Sequence, residues 1–238
     1  MAYAFEEKYT LRVTDCDMHG HIKTSRLLEL LQELAGDHVD ELGFGRAYTF
    51  PRGIAWIVVR QRIEFTRVPR LGETLTLWTW PGRTMHTICP RYTVIEDSEG
   101  REVLKACFIW VLMDLTTRSM VMPSKYGVLI DPPPLEAPMK MPRSPELLPE
   151  NRRFSFTVPY SYMDINGHMN NTRYLDMAED AIAAPKDGKE LRELTVEFSM
   201  ELRLGESMVV LVGEEENRFS FRGISGEKDI IKISLRYQ

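Results

Sequence analysis

The chain of 238 residues has few cysteines and no long apolar run. Its three cysteines, Cys16, Cys89 and Cys107, are an odd and widely spaced set, which excludes a disulfide framework and a Cys-x-x-Cys metal knuckle. The longest unbroken apolar run, residues 106–113, is too short to cross a bilayer, and residues 1–10 lack the basic start and apolar stretch of a signal peptide. We therefore expect a cytoplasmic protein without a membrane span.

The sequence also lacks an excess of basic residues, since its formal net charge is −5. Phosphate backbones are bound by a basic surface, so this charge argues against nucleic acid as a partner. The 43% of hydrophobic and 27% of charged residues are typical of a globular protein and exclude disorder, collagen-like repeats and coiled coil. A buried core is expected.

Proline is concentrated in one place, because eight of the 14 prolines lie between Pro123 and Pro149. That density fits neither a helix nor a central strand. We therefore predict a proline-rich linker, residues 123–151, between a front domain, residues 1–122, and a back domain, residues 152–238.

The two parts of the chain resemble each other. Residues 17–29 begin with Asp-Met-His-Gly-His and match residues 164–176, which begin with Asp-Ile-Asn-Gly-His, without gaps at a distance of 147 positions. Residues 63–74 match residues 196–207 at a distance of 133 positions. Two matches in the same order indicate a tandem duplication.

Each half predicts a strand, a helix and four further strands. Alternation of Tyr9, Leu11 and Val13 with polar residues predicts the first front-half strand. The helices are indicated by apolar residues at helical spacing, and their candidate caps are Thr24 or Ser25 in front and Asn170 or Asn171 behind. The further strands are predicted at 54–65, 74–80, 90–96 and 101–113 in front, and at 194–198, 207–213, 218–222 and 229–236 behind. This order indicates a duplicated α+β fold.

Residues 164–174 place many polar groups between a strand end and a helix start. Free backbone N–H groups and the positive end of the helix dipole can stabilise an oxyanion there, and we expect this of the helix start near Asn170. His168 is the natural proton handler because its ordinary pKa lies near neutrality. Asn166 can donate to a carbonyl or orient a water. Asp164 can fix the tautomer of an imidazole or hold the loop as an Asx-turn.

A purely structural interpretation of the same residues is also open. Asn, Asp and Gly are frequent in strand-to-helix turns because of local hydrogen bonding alone. The front copy retains the Asp, the Gly and the His, but it has His19 at the position of Asn166 and Lys23 at the position of Asn170. The shared residues are thus compatible with a turn, and the asparagines are what the back half adds.

The back-half motif resembles that of the acyl-acyl carrier protein thioesterases of plant plastids and bacteria. Their Asp-x-Asn-x-His-x-Asn-Asn pattern with a following Tyr is matched by Asp164, Asn166, His168, Asn170, Asn171 and Tyr174. The resemblance covers nearly the whole chain. It implies a tandem, or double, hotdog fold, in which each half is an antiparallel sheet wrapped around one helix.

A second element of that family is a Glu-aromatic-x-x-Glu strand, matched by residues 197–201. By this resemblance Glu201 takes the place of the catalytic carboxylate. Plant members carry a Cys directly after that Glu, but this chain has Leu202, which excludes a cysteine nucleophile at that position. The front-half residue that matches Glu201 is Val68, so a single active site is expected.

The resemblance implies hydrolysis of fatty acyl-acyl carrier protein thioesters to free fatty acid and carrier protein, which ends chain elongation. Glu201 and His168 would activate a water, with Asn166 and Asp164 completing the catalytic set. No cofactor and no metal are expected. The implied substrate-binding residues are Asn170, Asn171 and Tyr174, with Leu27, Leu31 and Trp56 of the front half lining an acyl tunnel. An apolar helical stripe is also explained by the core alone.

The implied partner is an acyl carrier protein that carries a fatty acyl chain, in contact with a monomer or a homodimer. Because that carrier is acidic, docking needs a local basic surface. The basic residues near the catalytic segment are Arg152, Arg153, Arg173, Lys186, Lys189 and Arg192. Ordinary surface charges explain them equally well, and an acyl-CoA carries the same pantetheine arm.

Three alternatives stay open. A hotdog dehydratase acting on 3-hydroxyacyl thioesters also uses a His and a carboxylate, although the asparagine-rich motif argues against it. An inactive acyl-thioester binding protein is disfavoured by the joint presence of Asn166, His168 and Glu201. A metal site is the third, since Asp15, Cys16, Asp17, His19 and His21 are close in sequence, but Cys16 would point away from Asp15 and Asp17 on a strand.

Overall fold

The computed structural model describes residues 4–183 and 188–238. Its helices are α1 (Thr24–Glu41), α2 (Arg46–Thr49) and α3 (Arg173–Ala181). The front-half strands are β1 (Phe5–Thr10), β2 (Ile54–Phe65), β3 (Thr74–Pro81), β4 (Cys89–Glu96), β5 (Glu102–Asp114) and β6 (Met120–Val121). The back-half strands are β7 (Glu150–Thr157), β8 (Leu191–Phe198), β9 (Ser207–Glu215), β10 (Arg218–Ser225) and β11 (Lys228–Tyr237).

The strands form one antiparallel sheet in the order β1-β3-β4-β5-β2-β8-β11-β10-β9-β7, with β6 added beside β5. The back half repeats the front-half order in reverse, so the two halves are related by an approximate two-fold axis. The halves meet where β2 pairs with β8, with Arg60 opposite Glu197 and Glu64 opposite Glu193. The duplication predicted from the sequence is thus visible as a repeated α+β unit.

The helices follow from apolar residues three and four positions apart. In α1, Leu27 and Leu31 are each only 1% exposed and belong to a core cluster that also contains Leu175 of α3. The two helices also contact each other, since the Thr24 hydroxyl donates to Glu179 at 2.8 Å. Within the described part of the chain, no helix is both long enough and apolar enough to span a membrane.

The first strand is shorter than its alternation predicts. It ends at Thr10, and Val13 lies in a short 3-10 turn with 76% of its surface exposed. The Asp15 carboxylate causes the difference, because it accepts the backbone N–H of Arg12 at 2.8 Å and closes the turn. The prediction that Val13 belongs to a half-buried strand is wrong.

The helix caps also differ from the prediction. Lys23 is the N-cap of α1 and Thr172 is the N-cap of α3, and neither side chain caps its helix with a hydrogen bond. Thr24 instead uses its hydroxyl to reach α3. Asn170 lies before the N-cap, where its Oδ1 accepts the Thr172 backbone N–H at 2.9 Å and shapes the approach to the helix.

The proline-rich segment packs against the sheet. Residues 123–126 form a 3-10 turn, and residues 127–149 contain no helix or strand. Met139 is 8% exposed and belongs with Trp80 and Tyr92 to a second core cluster, against which Leu135 packs. The division into domains at residues 122 and 152 stays a prediction.

A buried amide lies on the strand at the junction of the halves. Gln61 of β2 is 0% exposed, and neither its Nε2 nor its Oε1 has a hydrogen-bond partner among the described residues. We predict that Gln61→Met raises the free energy of unfolding by about 1 kcal/mol, because a buried unpaired amide is replaced by an apolar side chain of similar length. Urea denaturation measures the change. Gln61→Glu is the matched control and should destabilise the protein, and a less stable Met variant would contradict the prediction.

Candidate active site

A tight turn built around one carboxylate holds the predicted catalytic loop. Asp164 Oδ1 accepts the backbone N–H of Asn166 at 2.8 Å and that of His168 at 3.3 Å. The Asn166 amide Nδ2 donates to Asp164 Oδ2 at 3.3 Å. Gly167 occupies the left-handed region with φ of +77°, which a residue with a side chain rarely adopts. Asp164 therefore fixes the positions of Asn166 and His168 in the loop.

The front half contains the same turn. Asp17 Oδ1 accepts the backbone N–H groups of His19 and His21, each at 2.9 Å, and Gly20 has φ of +77°. The shared Asp, Gly and His are thus explained by the backbone geometry. This observation favours the structural interpretation for the front copy and leaves Asn166 as the chemical difference of the back copy.

His168 and Glu201 meet beside this turn. His168 Nε2 lies 3.2 Å from Glu201 Oε2, and the two side chains are 19% and 34% exposed. Glu201 is held in place by the neighbouring backbone, since Met169 N–H donates to the Leu202 carbonyl at 2.7 Å. The pair is accessible to water. In the front half His21 Nε2 lies 3.9 Å from a Glu190 oxygen, beyond hydrogen-bond length.

Two arginines of the front half reach this site, and sequence reasoning missed both. Arg118, in the turn between β5 and β6, binds Glu201 Oε2 through Nη2. Arg46 of α2 places Nη1 3.5 Å from Asn166 Oδ1. No local motif marks either residue, because the contacts depend on how the halves pack. The site is therefore composed of side chains from both halves.

The Arg118 turn is well defined. Asp114 Oδ1 accepts the backbone N–H of Thr116 at 2.9 Å and of Thr117 at 2.8 Å, and the Arg118 N–H donates to the Asp114 carbonyl at 2.9 Å. Arg118 itself has φ of +56°. The turn thus aims the arginine at Glu201.

Three backbone amides near the start of α3, those of Asn170, Thr172 and Arg173, already have acceptors. Asn170 N–H donates to Tyr162 O at 2.8 Å, Thr172 N–H to Asn170 Oδ1 at 2.9 Å, and Arg173 N–H to Asn170 O at 3.0 Å. These hydrogens are engaged within the turn. The asparagine side chain at position 166 is therefore better placed than these amides to serve as an oxyanion donor.

Two predicted substrate-binding residues of the back half, Tyr174 and Asn171, are buried or half-buried. Tyr174 is 2% exposed, its ring lies 6.2 Å from that of Phe198, and burial raises the pKa of its hydroxyl. Asn171 is half-buried before the first turn of α3. The structure thus places Tyr174 in the core beneath the site.

An apolar cavity of about 90 Å³ lies between α1 and the front-half sheet. Trp56 lines it together with Ala35, Gly36 and Trp110, and the Trp56 indole donates to the Phe44 carbonyl at 2.9 Å. The segment from Phe44 to Trp56 also contains Arg46, so it links the cavity to Asn166.

The two predicted tunnel leucines lie elsewhere. Leu27 and Leu31 are not among the residues that line this cavity. Leu27 borders a second cavity of about 230 Å³, which His21 and Tyr237 also line. Their role in acyl binding stays a prediction.

Three of the six basic residues proposed from the sequence are paired with acids. Arg173 contacts Glu29 at 3.2 Å and Asp176 at 2.9 Å. The other pairs are Arg153 with Glu150 and Arg192 with Glu190. Lys186 lies outside the described residues. These ion pairs reduce the positive surface available for docking on the back half.

The residues considered for a metal have other contacts. The Asp15 carboxylate accepts the Tyr9 hydroxyl at 3.0 Å and binds Arg26 Nε at 3.1 Å. Over residues 4–183 and 188–238, no group of three or more His, Cys, Asp or Glu side chains is arranged to hold a metal ion.

Comparison with known protein families identifies both halves of the chain. The model for the acyl-ACP thioesterase N-terminal domain matches residues 2–125, and the model for the C-terminal domain matches residues 146–237. The chain belongs to the acyl-ACP thioesterase family. Family membership, inferred from the asparagine-rich motif, is thereby confirmed.

Curated relatives of this family member are plant proteins. The chain is 25% identical over 213 residues to a palmitoyl-acyl carrier protein thioesterase from Cuphea hookeriana, covering 83% of this chain and 51% of that protein. It is 24% identical over 222 residues to oleoyl-acyl carrier protein thioesterase 2 from Arabidopsis thaliana, covering 84% and 60%. The chain thus spans about half the length of the curated relatives it matches first.

Solved structures show the same fold over the whole chain. An acyl-ACP thioesterase from Bacteroides thetaiotaomicron superposes with a TM-score of 0.85 at 22% identity, covering 99% of this chain and 98% of that one. The 12:0-ACP thioesterase from Umbellularia californica superposes with a TM-score of 0.85 at 17% identity, covering 99% of this chain and 97% of that one. The expected α+β double hotdog fold is confirmed.

The duplicated turn makes a testable prediction about stability. Asp17→Ala and Asp164→Ala should each lower the free energy of unfolding by about 1 kcal/mol, because each removes the acceptor of two backbone N–H groups. Urea denaturation of both variants measures the change. A lower free energy of unfolding for the Asp164 variant with no change for the Asp17 variant would contradict the equivalence of the two turns.

Proposed function

We propose that this chain hydrolyses fatty acyl-acyl carrier protein thioesters to a free fatty acid and the carrier protein thiol. The observation that carries the proposal is the contact of His168 Nε2 with Glu201 Oε2 at 3.2 Å beside the Asp164–Asn166 turn. Both relatives named above are acyl carrier protein thioesterases. The proposed reaction needs water as its only second reactant and no cofactor or metal.

The chemistry follows from the positions of these groups. His168 and Glu201 remove a proton from a water whose oxygen attacks the thioester carbonyl carbon. The carbonyl oxygen becomes an oxyanion, for which the Asn166 amide is the proposed donor, and loss of one such donor costs roughly 10²- to 10³-fold in rate. Collapse of the intermediate breaks the carbon–sulfur bond, and the proton passes to the leaving thiolate. Asp164 positions the loop that holds Asn166 and His168.

The front half supplies the acyl site in this proposal. The apolar cavity beside Trp56 takes the acyl chain, and the segment that carries Arg46 joins the cavity to the catalytic turn. We retain residues 1–122 as the acyl-binding domain and residues 152–238 as the catalytic domain. The predicted cytoplasmic location stays a prediction.

The carrier is proposed to approach over the front-half arginines. Arg46 is exposed, and the Arg118 side chain is 46% exposed at the carboxylate of Glu201. Such groups suit the phosphodiester of a pantetheine arm and the acidic surface of an acyl carrier protein. An acyl-CoA carries the same arm, so the two carriers are compared directly in the test below.

We predict that His168→Ala abolishes hydrolysis, whereas His21→Ala, the matched change in the duplicated turn, leaves it within about threefold of wild type. The reason is that only His168 contacts a catalytic carboxylate within hydrogen-bond length. Thiol release from a panel of acyl-acyl carrier proteins and matching acyl-CoAs measures the rates, and circular dichroism checks the fold.

Each result of that panel has a defined meaning. Loss of turnover in the folded His168 variant alone supports the proposal, and the faster carrier series identifies the carrier. Saturable binding without turnover of any ester would indicate an acyl-thioester binding protein. Water elimination from 3-hydroxyacyl esters would indicate a dehydratase. Full activity of the His168 variant would overturn the proposed chemistry.

We further predict that Arg118→Met lowers kcat by about tenfold, because Glu201 loses the charged partner that orients it. Arg118→Lys should recover part of the loss, since it retains the charge without the planar fork. Steady-state kinetics of both variants on the preferred ester measures kcat and KM separately. An unchanged kcat with a raised KM would show that Arg118 acts in carrier binding alone and does not orient Glu201.

A further inference from the structure

A buried arginine lies at one wall of the apolar cavity. Arg91 of β4 is 7% exposed and lines the cavity together with Ala35, Trp56 and Trp110. Its Nη1 lies 2.9 Å from His38 Nδ1 of α1 and 3.3 Å from the Thr79 hydroxyl of β3. Strand β4 therefore brings a guanidinium to the helix-facing side of an otherwise apolar space.

This guanidinium has no compensating charge in the described part of the chain. Within residues 4–183 and 188–238 its side-chain hydrogen-bond partners are His38 and Thr79, both reached through Nη1, and neither is an acid. Burial lowers the pKa of Arg91 to about 10, so it is still a cation at neutral pH. Among the described residues Nε and Nη2 have no hydrogen-bond acceptor, and neither atom is fully enclosed by protein, so both can meet an acceptor that enters the cavity.

His38 is a neutral partner. Burial, and then the charge of Arg91, lower the pKa of its imidazole to about 4, so His38 accepts a hydrogen bond without supplying a negative charge. Its ring stacks on Phe5 with centroids 5.2 Å apart, and Thr79 is 0% exposed. The arginine is thus held in place by packed neighbours, and its position does not depend on a mobile surface chain.

The chemistry of this wall differs from that of a plain acyl pocket. A terminal methyl group against it displaces water from the cation and its N–H donors without replacing the hydrogen bonds, which is unfavourable. An oxygen acceptor on the chain satisfies those donors, and hydrogen bonds to charged groups are the stronger ones. The wall therefore favours an oxygenated chain end over a hydrocarbon one.

We propose that Arg91 determines substrate specificity by selecting acyl chains that carry an oxygen acceptor, a hydroxyl or a carboxylate, at the end distal to the thioester. This inference rests on the proposed function, because it places the acyl chain in the cavity beside Trp56. It goes beyond that function by naming a substrate class. Small residues on α1, Ala35 and Gly36, leave the space in which such a chain end lies next to the guanidinium.

The first test compares acyl-acyl carrier proteins of one chain length that end in a methyl, a hydroxyl or a carboxyl group. Wild type should prefer one of the oxygenated chains by roughly tenfold in kcat/KM, which is the size of one hydrogen bond to a charged group. Arg91→Met should remove that preference. A hydroxyl preference would assign the selectivity to hydrogen bonding, and a carboxyl preference to charge, and either supports the proposal. Equal preference ratios in wild type and variant would overturn it.

A second test does not require turnover. Trp56 and Trp110 line the cavity, so a change in tryptophan fluorescence on adding the methyl esters of the corresponding acids reports binding, and the ester leaves the distal group as the one that differs. Wild type should bind the methyl ester with the distal hydroxyl or carboxyl group about tenfold more tightly than the unsubstituted methyl ester of equal length, and Arg91→Met should bind both alike. Absence of hydrolysis with this pattern intact would refute the proposed function alone. Tighter binding of the unsubstituted ester by wild type would refute the role of Arg91.

The variant is expected to fold. Arg91→Met leaves no buried carboxylate unpaired, because the partners of Arg91 are the neutral His38 and Thr79, and methionine is an apolar side chain of similar length. Arg91→Lys is the second variant, because it retains the charge and loses the planar fork. A thermal melt of each confirms that the compared proteins are folded. A Lys variant with wild-type preference would assign the selection to charge alone, which still supports the proposal.

Discussion

The pairing of β2 with β8 is the constraint on which the rest of the molecule depends. Because these two strands are hydrogen-bonded in antiparallel register, the front and back sheets continue into one another and the halves face each other across an approximate two-fold axis. The front-half segments that carry Arg46 and Arg118 are thereby placed against the proposed catalytic turn of the back half. Neither half contains the complete set of side chains that meet at this site.

Much of this arrangement could be predicted from the sequence, because the relevant signals are local. The predicted strands that follow the helices agree with the observed ones to within about three residues, since alternation and flanking turns define them. Asp164, Asn166 and His168 lie in one short turn, and the family resemblance adds Glu201, which the fold brings to 3.2 Å from the histidine. Val13 was misplaced because the Asp15 side chain closes a turn that alternation does not reveal.

The arginines of the site and the cavity could not be predicted in the same way. Arg118 meets Glu201 across 83 positions of sequence, so no spacing rule connects them. Arg91 lies on a strand and faces inward, where an arginine would normally be expected to face solvent. Its burial follows from tertiary contacts with His38 and Thr79, which come from a different helix and strand. The positions of charged side chains such as Arg91 and Arg118 are therefore what the structure reveals beyond the sequence.

The duplicated turn has a consequence for how the sequences of the two halves can diverge in evolution. In an assembly of two identical subunits, one gene change alters both copies of the turn together. Here the two copies lie on one chain, so Asn166 and Glu201 can be retained in one copy while the other carries His19 and Val68. Covalent linkage thus allows the two halves to carry different side chains at equivalent positions while the fold stays nearly symmetric.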